Sequence, residues 1–99
     1  MANWYQNNKE KLSSQERWIC GIMESILKSM DKDDMDSVFS LSKVLKTYLS
    51  NYNESQSTSE QINSFIQRAK SLLLSNVNSA HKEANKLTSI VREYEQIKT

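Results

Sequence analysis

The chain has 99 residues, a length at which one hydrophobic core is the rule, and its formal charge at pH 7 is only +1. That balance and a pI of about 7.8 argue against a protein that binds nucleic-acid phosphates and against an acidic mimic of DNA, so we expect no nucleic-acid partner. One Gly and no Pro leave few turn residues, so an all-β fold is excluded and a single all-α domain over residues 1–99 is predicted.

Residues 1–12 are polar apart from Trp4, Tyr5 and Leu12, which is not the pattern of a secretory signal. No apolar run approaches the ~20 residues that cross a bilayer, so we expect a cytoplasmic protein. The segment is predicted to be a loose arm or a short first turn. Trp4 and Tyr5 either fold back onto the helices or form an exposed aromatic contact for a partner or a membrane surface.

The first long helix is predicted at about 14–30, because Ser13 and Glu16 have the spacing of a capping box. Gly21 lies inside this helix at a cost of about 1 kcal/mol relative to Ala, which a close helix–helix crossing would justify. Cys20 is the only cysteine and is expected to be a small buried apolar residue. The predicted apolar stripe consists of Trp18, Ile19, Ile22, Met23, Ile26, Leu27 and Met30.

Residues 31–34 form an acidic break, read as a solvated turn that caps the next helix. An EF-hand is not indicated, because Asp36 and Ser42 occupy the places of its Gly and Glu. The second helix is predicted at about 34–51, followed by a polar, Ser-rich loop. Its apolar stripe consists of Val38, Leu41, Leu45, Tyr48 and Tyr52, widened by Val44 and Leu49.

The third helix is predicted at about 58–77, where Ser57 with Glu60 and Thr58 with Gln61 each read as a capping box. The fourth is predicted at about 80–97. The connection has no Gly or Pro, so one continuous helix is the alternative to the break that we expect. The third stripe consists of Ile62, Phe65, Ile66, Ala69, Leu72, Leu73 and Val77, and the fourth of Ala84, Leu87, Ile90, Val91, Tyr94 and Ile97.

Four amphipathic segments with short connections predict an antiparallel up-and-down four-helix bundle. One His and one Cys, far apart, cannot form a zinc site or a Cys–His nucleophile pair, and one Gly does not make a phosphate-binding loop. We therefore expect no enzyme, no cofactor and no metal.

The second half of the chain resembles the cytosolic immunity proteins against pediocin-like bacteriocins, the enterocin A immunity family. The resemblance is carried by residues 41–49, Leu-Ser-Lys-Val-Leu-Lys-Thr-Tyr-Leu, by the polar loop, and by residues 62–66, Ile-Asn-Ser-Phe-Ile. Family members show a similar L-x-K-V-L-x-x-Y-L helix, a loop and an I/L-x-x-x-I helix. The likeness spans roughly residues 16 to 95 and implies an antiparallel four-helix bundle. An irregular, often aromatic tail found in many members has no counterpart in the polar end at Thr99.

The resemblance implies inhibition without catalysis. Such proteins act inside the cell on the membrane component of the mannose phosphotransferase system that a bacteriocin has engaged. A monomer that associates peripherally with the inner face of the membrane is expected. Specificity in the family maps to the C-terminal half, which implies these exposed contact residues: Arg68, Asn76, Asn78, His81, Lys82, Lys86, Arg92 and Tyr94. Ordinary solvated surface is the alternative for each of them.

Two other functions stay open. A small helical export chaperone, like those of flagellar or type III secretion, would offer a groove to a client helix, with Tyr48, Tyr52 and residues 72–74 as the groove residues. The other is a phage- or mobile-element-borne inhibitor of a host enzyme.

Overall fold

The computed structural model describes residues 4–75 and 80–98, with the side chains of all but Ala80 and His81. Within those residues the chain forms helices and no strand. The five α-helices are α1 (Trp4–Asn8), α2 (Ser14–Asp31), α3 (Met35–Ser50), α4 (Glu60–Leu73) and α5 (Ala80–Ile97). Two 3-10 helices, Lys9–Lys11 and Glu54–Gln56, lie between them. The predicted all-α class is confirmed, and the packing is compatible with a helical bundle.

The starts of α2 and α3 follow the predicted caps. The Ser13 side chain accepts from the Glu16 N–H, and Glu16 accepts from the Ser13 N–H, so the capping box is confirmed. Asp34 caps α3 by accepting from the backbone of Ser37. Just before it, Asp33 adopts a left-handed conformation with φ of 55°, which a short acidic side chain tolerates in a tight turn.

The start of α4 differs from both predicted capping boxes. Ser59 is the N-cap and its hydroxyl accepts from the Ile62 N–H. Ser57 and Thr58 instead donate to the carboxylate of Glu16 at the start of α2. Because a tertiary partner uses these two residues, the helix begins at residue 60 rather than about 58. It ends at Leu73, short of the predicted residue 77, which lies outside the described residues.

The N-terminal arm is a docked helix. Trp4 and Tyr5 of α1 are half-buried and pack against the core, as predicted for aromatic residues that fold back. The Tyr5 hydroxyl donates to the Arg17 carbonyl oxygen at 3.2 Å. A Cβ on Gly21 would lie 3.3 Å from that hydroxyl. The close contact at Gly21 is therefore made by a tyrosine side chain of α1.

The core is built from the apolar faces of α2, α3, α4 and α5. Helix α2 packs mainly on α3, α4 packs mainly on α5, and α3 also contacts α4. Fully buried side chains come from each of the four: Ile19, Met23, Ile26, Val38, Leu45, Leu49, Phe65, Ile66, Ile90 and Tyr94. Trp18 is the exception among the predicted core residues of α2, since 60% of it is exposed.

Candidate functional site

An ion pair links the two C-terminal helices at their surface. The Arg68 guanidinium of α4 contacts the Glu93 carboxylate of α5, with 57% of the Arg68 side chain exposed. Further along, Lys86 donates to the Ser75 hydroxyl at 2.5 Å. Only 28% of the Glu93 side chain is exposed, and its Oε2 is buried without a hydrogen-bond partner among the described residues, so the ion pair fixes Arg68 while the exposed part of the guanidinium faces solvent. Arg68 is therefore both positioned and available.

A shallow groove of about 370 Å³ lies beside Arg68 on the outer side of α4. It is lined by Gln67, Arg68, Ser71 and Leu72. Leu74, the C-cap residue of α4, exposes 40% of its surface. The cation thus lies next to apolar side chains, a combination that recognises an amphipathic partner better than a purely solvated surface does.

Lys82 and Lys86 are four residues apart on α5, and Glu93 is seven residues beyond Lys86, so helical spacing places all three on one side. We call Arg68, Leu72, Lys82, Lys86 and Glu93 the α4–α5 surface. Lys82 is exposed and Lys86 is half-buried. Arg92 is also exposed but, as the neighbour of Glu93, it is turned by about 100° around the helix. The structure therefore groups three of the predicted cations and separates the fourth.

Three further predicted residues cannot be placed. Asn76 and Asn78 lie outside the described residues, and so does the side chain of His81. The backbone of His81 belongs to the first turn of α5.

Tyr94 was predicted as an exposed contact residue, and this is wrong. The side chain is fully buried. Its hydroxyl donates to Glu24 Oε2 at 2.5 Å, and the Glu24 carboxylate also pairs with Lys98 at 2.9 Å. The Trp4 ring packs edge-on against the Tyr94 ring, with a centroid distance of 6.0 Å. Tyr94 therefore packs where α1, α2 and α5 meet. Its place on the apolar stripe of α5 had already indicated that it is buried.

Burial controls the ionisation of the groups around Tyr94. Desolvation, followed by the hydrogen bond to Glu24, raises the pKa of Tyr94 above its ordinary value. Desolvation and the nearby carboxylates of Glu16 and Glu24 raise the pKa of Cys20 to about 12. The thiol is therefore neutral and buried, as expected for a structural cysteine.

Comparison of the chain with models of known protein families, with curated proteins and with solved structures gives no match. In the part of the chain that the structure describes, no helix is both long and apolar enough to span a membrane. Among the same residues, no group of three or more His, Cys, Asp or Glu side chains is arranged to hold a metal ion.

An aromatic pair between α2 and α3, with Trp18 exposed and Tyr48 half-buried, was not predicted from the sequence. Trp18 stacks on Tyr48 with a centroid distance of 5.8 Å and an interplanar angle of 6°. Ser25 and Ser29 follow Trp18 by seven and eleven residues, so this side of α2 becomes polar two turns after Trp18. That change was the available signal that Trp18 lies at the edge of the stripe, at the surface.

The groove predicted for an export chaperone does not form as expected. Tyr52 and Leu73 are buried, and the Tyr52 hydroxyl donates to Asn63 Oδ1. Tyr48 is half-buried under Trp18, and Leu74 is exposed at the end of α4. Two of the residues meant to hold a client are therefore part of the core.

Proposed function

We propose that this protein is a bacteriocin immunity protein of the enterocin A immunity type, which protects the cell by binding and not by catalysis. The resemblance of residues 41–49 and 62–66 to that family is the starting point. The observation that carries the proposal is the α4–α5 surface, where exposed Arg68 and half-buried Leu72 line one groove in the half of the chain to which the family's specificity maps.

The proposed architecture is an antiparallel up-and-down bundle of α2, α3, α4 and α5. Trp18 near the start of α2 stacks on Tyr48 near the end of α3, which supports opposite directions for these two helices. In the second pair, Lys86 contacts Ser75, while Glu93, two turns later, contacts the earlier residue Arg68. Along these contacts the residue numbers on α5 increase as those on α4 and just beyond it decrease, which is the pattern of an antiparallel helical hairpin.

The proposed partner is the membrane component of the mannose phosphotransferase system with a bacteriocin peptide engaged on it. Arg68 would keep its contact with Glu93 and donate from its other guanidinium nitrogens to a carboxylate of that partner, since an arginine fork pairs well with a carboxylate. Leu72 would contribute apolar contact in the adjacent groove. Binding takes place at the cytoplasmic face of the membrane, with the protein as a peripheral monomer.

The test is protection of a sensitive bacterial strain that expresses the chain, challenged with a panel of pediocin-like bacteriocins. We expect survival against at least one peptide. The charge reversal Arg68→Glu and the triple replacement of Arg68, Lys82 and Lys86 by Ala are each expected to reduce protection at least about tenfold, because each removes charge from the α4–α5 surface. The inhibitory concentration of the peptide is the measurement.

The matched control replaces three exposed lysines elsewhere, Lys11, Lys28 and Lys43, by Ala. It removes the same number of charges and is expected to leave protection unchanged, with circular dichroism showing that all variants are folded. Failure to protect against every pediocin-like peptide in the panel would overturn the proposal. Equal loss of protection in both triple variants would show that net charge, not the α4–α5 surface, is responsible.

A further inference from the structure

A second groove, of about 490 Å³, runs along the outer side of α2. It is lined by Tyr5, Ser14, Arg17, Trp18, Gly21, Ile22 and Ser25, which we call the α2 groove. Tyr5 of α1 and Trp18 provide aromatic walls, and Gly21 lies between them, where a Cβ would come within 3.3 Å of the Tyr5 hydroxyl. The groove shares no residue with the α4–α5 surface.

The walls of the α2 groove are held in place before anything binds. The Tyr48 ring supports Trp18 from behind, and the hydrogen bond from Tyr5 to the Arg17 carbonyl oxygen holds the other wall. Fixed side chains lose little conformational entropy when a partner docks, which favours binding. Trp, Tyr and Arg are also the residue types that contribute most to binding at protein interfaces.

Arg17 supplies the charge of the α2 groove. In the part of the chain that the structure describes, the ion pairs join Lys46 to Glu83, Arg68 to Glu93 and Lys98 to Glu24, and Arg17 belongs to none of them. Its guanidinium makes one long contact, 3.4 Å to the Ser14 hydroxyl. A guanidinium with most of its donors unused, next to an apolar surface, matches a carboxylate that has an apolar neighbour.

The length of the groove favours a peptide over a compact small molecule. Eleven residues separate Ser14 from Ser25 on α2, a rise of about 16 Å at 1.5 Å per residue, which equals five residues of extended chain. The step from Arg17 to Gly21 is about 6 Å. In an extended peptide, side chains two residues apart lie on the same face at about 6.6 Å.

We propose that the α2 groove binds an extended peptide segment of a partner protein with the pattern acidic-x-aromatic. The carboxylate pairs with Arg17, and the aromatic ring packs over Gly21 and Ile22 against Trp18. Peptide binding in the α2 groove does not involve the α4–α5 surface. The binding experiment and the protection assay therefore test the two proposals separately.

The test uses the full chain labelled with nitrogen-15 and a capped synthetic peptide, Ser-Glu-Thr-Phe-Ser. Gly21 is the only glycine of the chain, so its amide signal is identified without ambiguity, and the Trp18 indole signal is assigned by comparison with Trp4→Phe. We expect both signals to move in a saturable way. Replacing Glu by Lys in the peptide is expected to weaken binding at least about tenfold, because the charge-assisted hydrogen bonds to Arg17 are lost.

The variant Arg17→Glu should reverse this preference and bind the Lys peptide better than the Glu peptide. The same charge reversal at exposed Lys43 of α3, which does not line the groove, should leave both affinities unchanged. Equal affinity for the two peptides, or no movement of the Gly21 and Trp18 signals, would overturn the proposal.

Two other occupants give different results, and each would overturn the peptide assignment. If a second copy of the chain fills the groove, the Gly21 and Trp18 signals shift on dilution of the protein alone. If an anionic membrane is the target, phosphatidylglycerol vesicles broaden the signals, and Arg17→Glu and Lys43→Glu weaken that binding alike.

Discussion

At the residue scale, the most consequential side chain for stability is Glu16, which is fully buried. Its carboxylate accepts from the Ser13 N–H at 2.9 Å, from the Thr58 N–H at 3.1 Å and from the Thr58 hydroxyl at 2.6 Å. Ser57 adds a longer contact. The negative charge also lies in the first turn of α2, where the helix dipole favours it. One residue thus joins the start of α2 to the segment that enters α4.

We expect Glu16→Ala to lower the free energy of unfolding by about 3 kcal/mol, because the charge-assisted hydrogen bonds that the buried carboxylate accepts from Ser13 and Thr58 would be lost. Glu16→Gln should lower it by about 1–2 kcal/mol, since the amide keeps one acceptor oxygen but turns its NH₂ group towards donors. Urea unfolding followed by circular dichroism measures both changes. Glu95→Ala, the same change at an exposed position of α5, should stay within about 0.5 kcal/mol. An equal effect at the two sites would contradict the role of Glu16.

Sequence reasoning reached part of this arrangement. The Ser13–Glu16 capping box was predictable because its members are three residues apart on one helix. The link from Glu16 to Thr58 was not, because the two are 42 residues apart and nothing local relates them. The same contrast between local spacing and long-range packing explains why the surroundings of Tyr94 were predicted only in part. Its place on an apolar stripe was visible in the sequence, while its hydrogen bond to Glu24 depends on how α5 packs on α2.

At the scale of elements, the docking of α1 on α2 depends on a single missing side chain. Gly21 leaves the space that the Tyr5 hydroxyl occupies, and a Cβ there would lie 3.3 Å from this oxygen but 3.8 Å from the adjacent ring carbon. The first distance is crowded and the second is an ordinary contact. The hydroxyl, not the ring, is therefore the part of Tyr5 that conflicts with alanine at position 21.

A double-mutant cycle tests this contact. Gly21→Ala should raise the stability of an isolated helix by about 1 kcal/mol, but in the parent protein crowding at Tyr5 offsets the gain, and we expect a change below about 0.5 kcal/mol. In a Tyr5→Phe background the hydroxyl is gone, and the same substitution should stabilise the protein by about 1 kcal/mol. The free energies of unfolding of the four proteins give the coupling. An identical gain in both backgrounds would show that Tyr5 does not contact Gly21 in solution.

At the scale of the whole molecule, the buried interior holds several groups in their neutral form. Desolvation is the first cause in each case, and it raises the pKa values of Cys20, Tyr52 and Tyr94. For Cys20 the pKa rises from 9.0 to about 12. An unfolded chain therefore loses these protons at a lower pH than the folded chain does.

This difference predicts alkaline destabilisation. Below pH 9 the Cys20 thiol is protonated in both states; as the pH rises from 9 towards 12 only the unfolded state ionises, so the stability falls. Linkage sets the slope at no more than about 1.4 kcal/mol per pH unit for each such proton. Urea unfolding as a function of pH measures the slope, and Cys20→Ala should make it shallower between pH 9 and 10, below the ordinary pKa of tyrosine. An unchanged slope in this variant would show that the thiol ionises alike in both states.

The sequence alone determined that the four long segments are helical, where α2 and α3 begin, and which face of each long helix is apolar. All of these follow from spacing within one segment: steps of three and four residues for the stripes, and a Ser or Asp whose side chain reaches the N–H three residues on. Only the tertiary structure decided that Ser57 and Thr58 serve Glu16 and not α4, that Trp18 is exposed on Tyr48, and that Tyr94 is covered by Trp4. In each case the deciding partner belongs to another helix, and local spacing carries no information about which faces meet.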